Sequence, residues 1–297
     1  MQQKGKIVIL ALLSLFLLSN LIFAQVEDNL TRYQGANGEG YIKPLVAGLT
    51  ANMNRGWYQS AKIPVMGMRL RFGLVAMMAP IPDDDKTFQA TTTEPFTPQQ
   101  TVDVPTVVGS EKSVYATSPS GAVYPFPGGL NMNVTAFAAP QVTIGLMGSE
   151  LSARYFAYEL GDSDIGDITM LGIGVRHSIS QYLVLFPVDI SVGAFWQSIK
   201  IGDELLDMTT LHYGVQVSKD FAPLVLFGGL GFDNGSAKVD YTYEDAFTTI
   251  PVELDIKSDS AMEITVGIGL NLAFIHLTTE AAFGSRTAFA VNASFGL

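Results

Sequence analysis

Apolar and polar residues alternate along most of the chain from residue 66 onward. From Met262 to Leu272 every second residue is apolar, and the residues between them are small or polar. Residues 288–297 repeat this alternation. Because successive side chains of a strand point to opposite faces of a sheet, each stretch predicts a strand with one apolar face. A water-soluble antiparallel sheet can show the same pattern, so the alternation alone leaves two classes of protein open.

The same reasoning predicts ten strands. They are Met66–Met78, Val134–Leu146, Glu150–Leu160, Asp167–Ser178, Pro187–Lys200, Asp207–Ser218, Pro223–Tyr243, Thr249–Leu272, Ile275–Phe283 and Arg286–Leu297. Pro140 has no N–H to donate, so a β-bulge is expected there. Residues 81–129 are irregular and rich in proline and threonine, which is typical of a long outer loop. A hairpin hidden near Phe88 or Val114 would raise the count to twelve.

The polar face of these strands is expected to point into a lumen. Arg69 and Arg71 share one face of the first strand, and arginine facing lipid is costly, so that face should be internal. In a narrow barrel such residues can be structural partners of one another, with no role in transport. The predicted lumen residues are Arg69, Arg71, Asp189, Gln197, His212, Gln216, Glu263, Asn271, His276, Glu280 and Asn292.

The first 24 residues have the features of a secretory signal peptide. Lys4 and Lys6 precede an apolar run from Ile7 to Leu18, and Ala24 is a small residue at the expected cut. A retained membrane anchor is the alternative. Removing the segment changes the formal net charge from −11 to −13, because it carries two lysines and no acid. No cysteine is present, which excludes disulfides and a lipid-modified cysteine.

Composition decides between the two classes of sheet. An exported acidic chain is a poor nucleic-acid binder. Apolar residues make up 48%, yet beyond the signal no apolar run approaches the ~20 residues of a membrane-spanning helix. We therefore predict an all-β protein, a closed antiparallel transmembrane β-barrel of about 10–14 strands, with ten or twelve favoured. Its location would be the bacterial outer membrane, with lipid and lipopolysaccharide as partners.

Two classes of connection support this topology. The acid clusters all lie in one set of alternate connections, at Asp83–Asp85, at 162 and 164, at 203 and 204, and at 244 and 245. The other connections are short and mainly apolar. Long polar outer loops and short periplasmic turns are typical of bacterial barrels.

Residues 25–62 precede the predicted barrel of residues 63–297 and do not alternate. A short helix through Ala47–Met53 should end at the turn signal Asn54–Gly56. The segment either folds into the lumen as a plug or hangs in the periplasm as a linker. Its predicted plug residues are Tyr41, Asn54, Arg55, Trp57 and Tyr58.

Residues 40–61 also carry a family resemblance. Gly40-Tyr41-Ile42-Lys43-Pro44, followed by Asn54-Arg55-Gly56-Trp57-Tyr58 and Ala61, resembles the opening of an uncharacterised family of exported Bacteroidetes-type barrel proteins. The layout is loosely similar to the long-chain fatty-acid outer-membrane transporters. That resemblance implies an N-terminal hatch inside a barrel and a small hydrophobic ligand.

The sequence predicts no catalytic site, cofactor or metal site. His177, His212 and His276 lack ligand spacing to one another. No Gly-x-Ser-x-Gly motif occurs. Three functions remain: a barrel that passes or binds a small hydrophobic molecule, a structural or surface-interaction barrel that binds a partner through its outer loops, and a lipid hydrolase. The first is favoured, and an enzyme is not expected.

Overall fold

The computed structural model describes residues 29–33, 35–158, 167–183, 186–202, 205–244 and 249–297. The predicted signal peptide and the acidic residues at 162, 164, 203, 204 and 245 lie outside this part of the chain.

The described residues form one long helix and fourteen strands. The helix, α1, is Ala36–Met53. The strands are β1 (Met68–Pro80), β2 (Thr87–Thr91), β3 (Thr101–Pro105), β4 (Val114–Thr117), β5 (Val123–Phe126), β6 (Val134–Leu146), β7 (Ser149–Tyr158), β8 (Ile168–Ser178), β9 (Asp189–Ile201), β10 (Leu206–Phe221), β11 (Leu224–Glu244), β12 (Thr249–Leu272), β13 (Ile275–Phe283) and β14 (Thr287–Gly296). Short 3₁₀ turns lie at Asp83–Asp85 and Ser180–Tyr182.

Ten strands form a closed antiparallel barrel. β6 to β14 follow one another in chain order, and β1 closes the ring between β14 and β6. This confirms the predicted all-β closed barrel and the count of ten. The hairpins β2–β3 and β4–β5 do occur in the long loop, but they pair separately and add nothing to the wall.

The prediction of a β-bulge at Pro140 is wrong. β1 and β6 stay in register through the pair Leu74↔Pro140. On the other side, β6 pairs with β7 only from Gln141 onward. The proline therefore lies where one ladder stops, a position that needs no N–H, and no bulge is required to accommodate it.

The wall has an apolar exterior and a mostly polar interior. On β10, Leu211, Tyr213 and Val215 are 39–45% exposed, whereas the alternate residues His212 and Gln216 are 1% exposed. Closure of the barrel pairs the backbone groups of its strands, and the apolar outward face suits lipid. Among the described residues no helix is long and apolar enough to cross a membrane.

A register shift divides β12 into two parts. Asp233 of β11 pairs with Ala261, but Gly235 pairs with Ser258, so β12 contains one extra residue. Because side chains alternate, the extra residue reverses which set faces inward. Leu254 and Ile256 are buried on one side of the shift, and Glu263 and Thr265 on the other.

Residues 35–62 lie inside the barrel. α1 contacts β1, β6, β10, β11, β12 and β14, which surround it. It begins earlier than predicted and ends at the predicted turn. Pro44 interrupts its hydrogen bonds, and in this turn the carbonyl of Tyr41 accepts a bond from the Val107 N–H at 2.9 Å.

The barrel has a loop end, which carries the long connections, and a turn end, which carries the short ones. At the loop end the interior is an apolar core in which α1 packs on inward-facing wall residues and on the hairpins. Its buried members include Tyr41, Leu45, Val46, Met170, Met208 and Val239. At the turn end the interior is polar and charged.

Candidate functional site

The central contact inside the barrel is made by Arg55, just after α1. Its guanidinium group forms ion pairs with Asp233 of β11 and Glu263 of β12. The side chains of Arg55 and Glu263 are 2% and 3% exposed, and that of Asp233 is 13% exposed. Arg55 Nε also donates to the carbonyl of Ala51 at 2.9 Å, which holds the guanidinium at the end of the helix. One side chain therefore joins the N-terminal segment to two wall strands.

His212 of β10 extends this contact. Its Nδ1 lies 2.7 Å from Asp233 Oδ1, and its Nε2 lies 2.8 Å from the Tyr58 hydroxyl. A proton on Nδ1 donates to the carboxylate and leaves Nε2 to accept from tyrosine. The wall thus contacts both sides of the turn at Gly56.

Aromatic rings fill the space beside the turn. Trp57 stacks on Phe195 of β9 with ring centroids 5.1 Å apart, and Tyr58 meets Phe195 edge-on at 5.8 Å. The Arg154 guanidinium lies 3.6 Å from the centroid of the Trp57 ring. A desolvated cation over an indole face contributes about 2 kcal/mol. Trp57 is thereby held between two strands of the wall.

A second charged cluster lies at the turn end, and its charged residues all belong to the wall. Glu150 of β7 pairs with Arg69 of β1 at 2.7 Å and with Arg176 of β8. Arg176 also donates to Gln216, whose amide in turn donates to the carbonyl of Gln59 at 2.7 Å. All three charged side chains of the cluster are buried, and the single carboxylate of Glu150 is shared by the two guanidinium groups.

The last part of the N-terminal segment is fixed by hydrogen bonds to β10. The Ala61 N–H donates to Ser218 Oγ at 2.8 Å, and the Ser60 and Ser218 hydroxyl oxygens are 3.3 Å apart. Ser60 Oγ donates to Asp220 Oδ1 at 3.0 Å. From here the chain leads directly into β1.

A cavity of about 360 Å³ opens at the loop end and reaches α1. It lies between the helix, the loop after β1, β12 and the turn before β14. Arg286 and Asp85, which form an ion pair, both line it. Its lining is mixed, with Pro44, Val46, Phe88 and Ile256 beside Lys43 and Lys257. This size is within the range of small-molecule sites.

The predicted lumen residues are placed as follows. Nine are buried inside the barrel: Arg69, Arg71, Gln197, His212, Gln216, Glu263, His276, Glu280 and Asn292. Asp189 and Asn271 are only partly buried at strand ends, where Asn271 Oδ1 lies 2.8 Å from His276 Nδ1. The five predicted plug residues Tyr41, Asn54, Arg55, Trp57 and Tyr58 are all buried.

Sequence reasoning missed Glu150, Arg154, Arg176 and Asp233. The first three lie on the polar face of their strands, as alternation predicts. On β7, for example, Glu150, Ser152 and Arg154 alternate with apolar or aromatic neighbours. That signal was present in the sequence. Asp233 lies beside the register shift, and its meeting with Arg55 depends on strand stagger, which the sequence does not show.

The family of the chain follows from its full length. The model of a family of unknown function, DUF6588, matches residues 1–297. The chain belongs to this family. No curated protein has a detectable match to the sequence.

Solved outer-membrane barrels show a distant likeness to this DUF6588 member. The Escherichia coli outer-membrane protease OmpT is 8% identical, with 80% of this chain and 98% of that chain covered and a TM-score of 0.37. A loop-deleted OmpT from Vibrio cholerae is 10% identical, covering 77% and 99%, with a TM-score of 0.28. The Pseudomonas putida toluene transporter TodX is 11% identical, covering 89% and 98%, with a TM-score of 0.21. At these values the likenesses do not bear on function.

A serine–histidine pair occurs at the turn end, away from the lumen. Ser149 Oγ lies 2.9 Å from His177 Nδ1. The second ring nitrogen contacts the Tyr182 hydroxyl at 3.0 Å and the Gln181 amide at 2.9 Å. In a hydrolytic triad a carboxylate orients the imidazole, and here a phenol and an amide take that position.

The turn at Gly56 leaves no room for a side chain. Its φ is +74°, and a Cβ atom would lie 2.8 Å from Val75 Cγ2 and 3.1 Å from Arg154 Nη2. Its N–H donates to Glu280 Oε1 at 2.6 Å. Around this turn, Asn54, Trp57, Arg154, Glu280 and Asn292 each have a buried polar atom without a hydrogen-bond partner among the described residues. The turn is therefore tightly packed, but several polar atoms around it make no hydrogen bond within the described part of the chain.

We expect Gly56→Ala to destabilise the protein more than Gly67→Ala. Both glycines have positive φ, +74° and +82°, but nothing lies within 4 Å of a Cβ at Gly67. The backbone strain of about 1–2 kcal/mol is common to both, and the clash at Gly56 adds about 1–3 kcal/mol. Equilibrium unfolding in detergent micelles measures the difference. Equal losses from the two variants would contradict this account of the turn.

Proposed function

We propose that this protein is an outer-membrane barrel that passes a small, largely hydrophobic molecule, with its N-terminal segment as the hatch. One observation carries the proposal: residues 35–62 fill the lumen and are held to the wall through Arg55, Tyr58 and Ser60. These contacts are noncovalent, because the chain has no cysteine. A segment held in this way can leave without breaking the barrel.

The cavity at the loop end supports a small-molecule cargo. It ends on α1, so a molecule that enters it meets the hatch. Its apolar lining residues, among them Phe88 and Ile256, would contact a hydrocarbon, and its charged rim would admit a polar substituent. Movement of α1 would connect this cavity with the region around Gly56, where several buried polar atoms lack hydrogen-bond partners among the residues described.

The same proposal places the chain in the membrane. Residues 1–24 would be a cleaved signal peptide, residues 25–62 the hatch segment, and residues 63–297 the barrel, with the loop of residues 81–129 outside. The apolar outward face supports contact with outer-membrane lipid. The acidic loops would face lipopolysaccharide. No catalytic step is part of the proposal, and the surroundings of His177 support that choice.

A reversible crosslink tests the hatch. In Ser60→Cys/Ser218→Cys the two sulfur atoms replace oxygens 3.3 Å apart and need to approach to about 2.05 Å. Oxidation should fix the segment to β10 and abolish uptake of radiolabelled naphthalene by cells that express the protein. Reduction should restore it.

The matched control is Thr143→Cys/Ser152→Cys. These side chains are register partners on β6 and β7, with oxygens 2.9 Å apart, so their disulfide joins two wall strands and leaves the segment free. Uptake should then be the same in both redox states. If the oxidised Ser60–Ser218 variant takes up naphthalene as fast as the reduced one, the hatch is disproved.

The hairpin β4–β5 favours a second candidate function. Tyr115 and Val123 are 62% and 57% exposed on it, and exposed apolar residues on an outer loop are typical of a binding surface. A structural or surface-interaction barrel would use this hairpin to hold a partner. Trimming residues 114–126 would then remove surface binding and leave naphthalene uptake unchanged.

A further inference from the structure

Arg55 occupies a position that three wall side chains can offer to a metal ion. One ligand atom each from His212, Asp233 and Glu263 lies within 4.8 Å of the other two. The three residues come from neighbouring strands, β10, β11 and β12, and their inward side chains meet on one patch of the wall. The Arg55 guanidinium pairs with both carboxylates of this patch.

We propose that His212, Asp233 and Glu263 form a divalent-cation site that Arg55 fills while the hatch is closed. A zinc ion, or one of similar ligand preference, takes the place of the guanidinium when the segment leaves. The inference rests on the proposed hatch, because the site becomes free only after Arg55 has moved.

Charge balance favours a cation at this position. When Arg55 departs, two carboxylates stay close together in a largely buried wall, and no other lysine or arginine among the described residues forms an ion pair with either. His212, the other partner of Asp233, is a neutral imidazole when it carries one proton. Removing one partner of a buried ion pair leaves an uncompensated charge, which is strongly unfavourable. A divalent ion restores neutrality without the segment.

The ligand set favours zinc over calcium or magnesium. Imidazole nitrogen with carboxylate oxygens suits zinc and its neighbours, whereas calcium and magnesium prefer oxygen alone. With its proton on Nε2, His212 presents Nδ1, the atom now facing Asp233, to the metal. Two ligands of one tetrahedral zinc lie about 3.5 Å apart. His212 Nδ1 and Asp233 Oδ1, now 2.7 Å apart, would separate slightly, and no pair of the three ligand atoms is more than 4.8 Å apart, so shifts of about 1 Å give this spacing.

The charged cluster at Glu150 shows by comparison why a metal ion can replace the cation at the Arg55 position. There both cations, Arg69 and Arg176, are wall residues, so the cluster stays filled whatever the segment does. At Asp233 and Glu263 the guanidinium comes from a separate part of the chain. Of these two clusters, only the Arg55 cluster can exchange one cation for another when the hatch moves.

Zinc titration of the full-length Arg55→Ala protein in detergent tests the inference. Calorimetry should show one zinc bound per chain, and cobalt should give the visible absorption of a tetrahedral site. Arg55→Lys, which keeps a cation in place, should not bind. Arg55→Ala/His212→Ala should bind at least about tenfold more weakly, since even indirect support of a metal ligand contributes that much.

The zinc experiments test the metal site separately from the hatch. A folded Arg55→Ala protein that binds no zinc overturns the inference, and so does calcium binding that is equal with and without His212. Arg55→Gln repeats the test should the alanine variant not fold. The oxidised Ser60→Cys/Ser218→Cys protein should bind no zinc, because Arg55 is kept in place. If Arg55→Ala binds zinc but the crosslink does not affect uptake, the site is real and the hatch is not.

Discussion

Replacing Glu150 with alanine is expected to lower the free energy of unfolding by about 3–5 kcal/mol, the cost of breaking a buried ion pair. Glu150 compensates Arg69 and Arg176, and all three side chains are buried. The variant would leave two guanidinium groups without an anion inside the barrel. Denaturant unfolding in micelles, followed by tryptophan fluorescence, measures the loss.

Glu253→Ala is the matched control for charge removal. Glu253 faces Lys238 at 3.7 Å on the outside of the barrel, and both side chains are more than 60% exposed. An exposed pair contributes about 0–1 kcal/mol, so little change is expected. Glu150→Gln keeps the shape and should recover part of the loss. A Glu150→Ala protein as stable as the Glu253→Ala protein would show that the cluster contributes nothing to stability.

Deleting residues 29–62 is expected to convert a closed barrel into a conducting one. In the intact chain α1 and the turn at Gly56 occupy the lumen from the loop end to the turn end. Without them, inward side chains of ten strands line a narrow water-filled path. Single-channel recording in planar bilayers should show conductance for the deletion and none for the intact protein.

The control deletion removes the hairpin of residues 114–126. It shortens the same protein at the loop end but leaves residues 29–62 in the lumen, so it should not conduct. Circular dichroism establishes that each variant retains its strands. A folded protein without residues 29–62 that stays closed would contradict the assignment of this segment as the barrier.

Much of the wall was predictable because one rule governs it. Alternation, together with the cost of charge in lipid, predicts that Arg69, His212, Gln216 and Glu263 face inward, and they are buried. The rule works because lipid and lumen select opposite polarity along each strand. The same rule places Arg154 of β7 and Arg176 of β8 inward, and both are buried.

The short hairpins, the start of α1 and the pairing of Arg55 cannot be predicted from the alternation of apolar and polar residues. The strands of residues 87–126 have four or five residues each, too few to show a period. The early part of α1 contains Gly38, Gly40 and Pro44, which normally disfavour a helix, and burial inside the barrel compensates for them. The pairing of Arg55 with Asp233 joins residues 178 positions apart and requires the stagger of the wall.

The extra residue in β12 lies where the outer face of the barrel changes from lipid-facing to solvent-facing. On one side of it the outward residues are Met262, Ile264 and Val266, and on the other they are Glu253, Asp255 and Lys257. Charged side chains facing outward cannot lie in hydrocarbon, so the bilayer ends near Ala261. The part of the apolar core at Val239, Leu254 and Ile256 therefore stands above the membrane surface, where the hydrophobic effect drives its packing as in a soluble protein. Agents that weaken this effect should loosen the packing of α1 while the lipid-embedded strands stay intact.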